Sequence, residues 1–169
     1  MTSRSDSAAP VGPAAPPDHP YTAEIDLERV LWYEITGICR SLSPEERLEP
    51  GYYRDPDWSV KDLVAHLGAW LAVAENQIEQ IGVGTYEHRE VDVEARNAEA
   101  LATLRAQDWE TIWTQAHAAR AWMYRSWLAL TERSTEADFW VRKAGAEHYG
   151  EHVRRLREWV AELVTRRRP

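Results

Sequence analysis

The chain has 169 residues, 44% of them hydrophobic and 28% charged, and a formal charge of −8 at neutral pH. That length fits one globular domain with a core of its own. The acidic balance argues against a general nucleic-acid binder, and a single cysteine, Cys39, excludes an intramolecular disulfide and suits a reducing cytoplasm. No run approaches the roughly 20 apolar residues needed to span a bilayer, so no membrane partner is expected.

Residues 1–20, "MTSRSDSAAPVGPAAPPDHP", have no apolar core of a secretory signal and are broken by Pro10, Pro13, Pro16 and Pro17. They read as a disordered Ala/Pro-rich leader, which sets His19 aside. Residues 21–165 carry helical patterns, and 166–169 form a basic tail favoured by the negative end of a helix dipole.

The first helix is expected from about Thr22 to Leu42, with Ile25, Leu27, Val30, Leu31, Ile35, Ile38 and Leu42 as its apolar stripe. Ser43 then caps a short turn that has Pro44 at its start. The second long helix begins after Ser59, which with Asp62 comes close to a capping box. Gly82 and Gly84 end it. A polar segment follows, with a short helix around Glu94 to Leu104. Asp108 caps the third long helix, whose apolar face runs through Ile112, Ala116, Met123 and Trp127. The stretch "TERSTEADFWVRKAG" reads as a loop before the fourth helix, where Leu156, Trp159, Val160 and Leu163 are buried. No strand pattern stands out. Four long helices with moderate connections predict an all-α, up-and-down four-helix bundle. Most of the nine tryptophans fall at helical spacing and are expected in its core.

Six histidines are present, and His88 falls in an expected loop. His148 and His152 share one helix face, one turn apart, on the continuation of the Leu156–Trp159–Leu163 stripe. They therefore point inward. His66 lies between Leu63 and Trp70 on the buried stripe of the second helix, about 10 Å past its cap. In an up-and-down bundle the second and fourth helices are parallel, so the three imidazoles meet at one height. Three converging neutral imidazoles with an open fourth position are the pattern of a catalytic metal site. The same three rings also fit a core in which each is satisfied by hydrogen bonds. No HExxH motif is present. His117, on the antiparallel third helix, is a further candidate at the pocket edge. Trp58, Trp70 and Tyr149 are candidates for the pocket wall, and Asp62 reads as a cap rather than a base.

"DWSVKDLVAHLGAW" at 57–70 resembles the second-helix signature of the DinB/YfiT-like superfamily, and "EHYGEHVRRLREWV" at 147–160 resembles its fourth-helix signature. The chain is also similar to the N-terminal domain of mycothiol-dependent maleylpyruvate isomerases, with looser likeness in "ARNAEA" and "DWE". The resemblance implies a bundle holding divalent zinc or nickel on His66, His148 and His152. In the isomerase branch the first fourth-helix ligand is a glutamate, so His148 implies the three-histidine branch instead.

Three functional readings follow. One is a metal-dependent enzyme on a small electrophile, by transfer or isomerisation with a low-molecular-weight thiol of the mycothiol type, or by hydrolysis with metal-bound hydroxide. The second is a bundle that binds a small molecule without turnover. The third is a structural or dimerising bundle, and a homodimer stays open in every case.

Overall fold

The computed structural model describes residues 22–54 and 57–167. The leader, with His19, and the last two residues of the basic tail lie outside them. The described chain is mostly helical. In order it forms α1 (Thr22–Ser41), α2 (Pro44–Leu48), β1 (Tyr53–Arg54), β2 (Asp57–Trp58), α3 (Val60–Gly82), α4 (Val93–Leu104), α5 (Trp109–Leu128), α6 (Thr135–Arg142), a π-helical turn (Lys143–Glu147) and α7 (His148–Arg166). No described helix is long and apolar enough to cross a membrane.

Local chemistry sets most boundaries. Ser59 and Asp62 form a full capping box: Asp62 N–H donates to Ser59 Oγ at 3.2 Å, and Ser59 N–H donates to Asp62 Oδ2 at 2.8 Å. Ser43 and Glu46 do the same for α2, which has Pro44 in its first turn. Asp108 accepts from Thr111 N–H at 2.8 Å and starts α5. Gly84, at φ +73°, turns the chain out of α3 in the left-handed region that favours glycine.

The core runs between α3 and α5 on one side and α1 and α7 on the other. Gly68 lets the first pair close up, because a Cβ there would stand 3.0 Å from Ala116 Cα. Leu63, Leu67, Leu71, Ile112, Met123 and Trp127 fill that seam. Leu156, Trp159 and Leu163 carry it onto α7. Of the nine tryptophans, only Trp122 is exposed.

Three local expectations need correction. Leu27 and Val30 are 57% and 64% exposed rather than part of the α1 stripe. At 100° per residue Val30 lies opposite the real seam, Ile25–Glu28–Trp32–Ile35–Cys39, and Leu27 lies about 110° to one side of it. That seam contains a glutamate: buried Glu28 accepts from Arg120 Nε at 2.6 Å and Nη2 at 2.5 Å.

The stretch expected as a loop before the fourth helix is itself helical. Ser134 caps α6, Ala137, Trp140 and Val141 bury one face, and Gly145 kinks the chain into α7. A short antiparallel hairpin also exists, with Tyr53 opposite Trp58, too brief to leave an alternating pattern.

Candidate metal centre

The capped N-terminal turns of α3 present His66, and the first two turns of α7 present His148 and His152. The ring centroids are 4.7 Å apart for His66–His148, 5.2 Å for His66–His152 and 4.9 Å for His148–His152. One ligating nitrogen from each ring lies within 4.8 Å of the other two. His66 Nε2 and His148 Nε2 are 2.8 Å apart. His66 and His152 are each 7% exposed, and His148 is partly buried. Ligands at about 2.0–2.1 Å from one ion must crowd in this way.

Protonation favours ligation as well. Burial, and then the neighbouring His152, lowers the pKa of His66 to about 3. Burial, then His66 and His152, lowers that of His148 to about 2. Burial alone takes His152 to about 4. All three rings are therefore neutral near pH 7 and carry lone pairs. Two such lone pairs meeting at 2.8 Å repel unless a proton or a cation lies between them. The donor set fits a divalent ion that accepts imidazole nitrogen.

Groups behind the rings bias their tautomers. Tyr52 Oη donates to the His152 carbonyl and sits 3.3 Å from its Nδ1, while Tyr53 Oη is 3.2 Å from the same nitrogen. With its proton committed to the carbonyl, the Tyr52 hydroxyl can accept from Nδ1–H, and that tautomer leaves Nε2 free for the cluster. Arg155 holds this loop to α7 by donating to the Tyr52 carbonyl at 2.7 Å. Behind His148, the Ala144 carbonyl acts as an acceptor that favours a proton on the ring. The kink at Gly145 makes this carbonyl available, because His148 N–H bonds to Gly145 rather than Ala144. Gly145 packs against α1 so closely that a Cβ would come within 3.2 Å of Glu28 Cγ.

The three histidines open onto a cavity of about 790 Å³. Trp58, Trp70, Phe139, Trp140 and Tyr53 supply its aromatic wall, with Arg89, Glu90, Lys143 and Glu151 among its charged lining. Trp58 lies 4.9 Å from His66 between ring centroids. Trp58 and Trp70 thus lie where the sequence reading puts them.

Tyr149 and His117 do not. Tyr149 is fully buried on the far side of α7, 5.3 Å from Trp32 between ring centroids. One residue past His148 is a 100° rotation, which turns it away from the cavity. His117 packs against Trp32 at 5.0 Å and Trp113 at 4.7 Å, outside the cavity. Burial, then Arg40 and Arg120, lowers its pKa to about 4. His88, set aside as a loop residue, does line the cavity. Tyr52, Tyr53 and Asn97 were not singled out, since no spacing rule links a loop tyrosine to a histidine 99 or 100 positions away.

No protein-family model, curated protein or solved structure matches the chain.

Proposed function

We propose that the chain is an up-and-down four-helix bundle of the DinB/YfiT-like kind that holds a divalent metal, zinc or nickel, on His66, His148 and His152. The reading rests above all on the approach of two neutral imidazoles to 2.8 Å, with His152 completing the cluster. Its activity is then metal-assisted attack on a small electrophile. A bound ion supplies Lewis acidity and lowers the pKa of the thiol or water that takes its open position.

The chain's own residues divide the remaining work. Tyr52, Tyr53 and the Ala144 carbonyl hold rings with their ligating nitrogens inward. Trp58, Trp70, Phe139 and Trp140 exclude water and receive an apolar part of the substrate. Cys39 cannot supply the nucleophile: it is fully buried, and burial pushes its thiol up to about 12. A thiol attacking here therefore comes from a cosubstrate such as mycothiol, in a reducing cytoplasm. Without one, water makes the protein a hydrolase or a resistance protein. The broad aromatic cavity also supports a second reading, capture of a small molecule without turnover.

The test is a screen of purified protein, with zinc or nickel, for loss of small electrophiles with and without added thiol. Turnover of many equivalents supports the enzyme. One equivalent bound without product supports capture. Neither result, for any electrophile offered, goes against both.

A further inference from the structure

None of the residues of α4 is buried. One of its side chains still reaches the centre. Trp70, on α3, donates its indole N–H to Asn97 Oδ1 at 2.9 Å. Asn97 lines the large cavity with His66 and His148, and also a small void shared with Trp58, Asp62 and His66. Nδ1 of His66 is buried and has no hydrogen-bond partner among the described residues.

The indole decides which end of the carboxamide faces it. A tryptophan N–H is only a donor, so it takes the oxygen. A carbonyl oxygen has a second lone pair, and an imidazole N–H can use it. The tautomer of His66 decides whether it can ligate at Nε2. A proton on Nδ1 leaves the Nε2 lone pair facing His148, whereas a proton on Nε2 blocks that position.

We propose that Asn97 is a positioning residue of the centre: its oxygen, oriented by Trp70 and lining the same void as His66, supplies the acceptor that the orphaned His66 Nδ1–H needs and so turns the Nε2 lone pair toward His148 and His152. The inference rests on the metal reading above. Asn97 itself would touch no ion. With it, all three rings have an acceptor behind them: the Tyr52 hydroxyl for His152, the Ala144 carbonyl for His148 and Asn97 for His66. Such outer partners are worth about 10–100-fold in metal affinity.

The experiment measures zinc affinity by chelator competition in the full chain, together with the His66 Nδ1–H resonance of the zinc-loaded protein. Asn97→Ala is expected to weaken zinc at least tenfold and to speed exchange of that proton with water. Asn97→Asp restores an acceptor and is expected to hold zinc within a few-fold of wild type. Trp70→Phe, which keeps the wall but loses the donor, should give a smaller loss. A helix-packing role alone would lower Tm in Asn97→Ala without moving affinity or proton exchange. If wild type holds zinc tightly and Asn97→Ala holds it equally well with the proton still protected, the inference falls while the metal reading stands. If wild type holds neither zinc nor nickel, the metal reading falls and takes the inference with it.

Discussion

His66 Nε2 and His148 Nε2 stand 2.8 Å apart although 82 positions separate them in the chain. Both rings are neutral near pH 7, because burial lowers His66 to about 3 and His148 to about 2. Either a proton or a cation between the two nitrogens satisfies that pairing, and a cation needs both Nε2 lone pairs free.

The hydroxyls behind His152 are the first target. Tyr52→Phe and Tyr53→Phe each remove one of two hydroxyls near Nδ1, so each single change should weaken zinc by several-fold. The double variant removes both and should weaken it by about 10–100-fold. Chelator competition measures this, and an unchanged affinity in the double variant would remove the tautomer argument for His152.

Stability of the metal-free protein should depend on pH with a definite sign. Folding depresses the imidazole pKa values of His66, His148, His152 and His117 to about 3, 2, 4 and 4. Unfolded rings titrate near their ordinary value of about 6.5. Below that value the unfolded chain binds more protons than the native one. The contribution is therefore complete above about pH 6.5 and is lost as pH falls through the depressed values. Denaturant midpoints should stay nearly level near pH 7.5 and then drop from about pH 6.5 to pH 5. His117→Phe, away from the cluster, should flatten part of that slope. A profile flat over this range would contradict the burial of neutral rings.

Cys39 should be inert. Its thiol is fully buried and pushed up to about 12, so a thiol reagent should label it only after denaturation. Any thiol-dependent turnover should survive Cys39→Ala. Rapid labelling of the native protein, or activity lost with the thiol, would place a nucleophile inside the chain.

Gly145→Ala tests the kink before His148. The added Cβ would meet Glu28 Cγ at 3.2 Å, and Glu28 is held by two hydrogen bonds from Arg120. Such overpacking costs about 1–3 kcal/mol of stability. Because the kink also offers the Ala144 carbonyl to His148, zinc affinity should fall with it. Denaturation and chelator competition on the same sample measure both. A fall in stability with affinity intact would separate the kink from the site.

Features governed by short-range chemistry were legible in the sequence. Ser59 with Asp62, Ser43 just before Pro44, and Asp108 mark helix starts through contacts a few residues long. His66, His148 and His152 were legible because periodicity gave each a face and the expected parallel pairing gave them one height. Tyr149 was misplaced because one step along a helix turns a side chain by 100°. The seam of α1 was misread because it is built around Glu28 and Trp32, and counting aliphatic residues pulled it toward Leu27 and Val30. α6 was hidden by charges and by the glycine at its end. Asn97, Tyr52 and Tyr53 reach the centre across long chain separations, and such tertiary contacts leave no local pattern.

Elemental analysis of the purified full chain, beside His66→Ala, His148→Ala and His152→Ala, tests the central claim most directly. Wild type is expected to carry close to one zinc or nickel ion per chain, and each variant to lose most of it while staying folded. Metal content unchanged in all three variants, or a wild type that takes up neither ion, would contradict a metal centre built on these histidines.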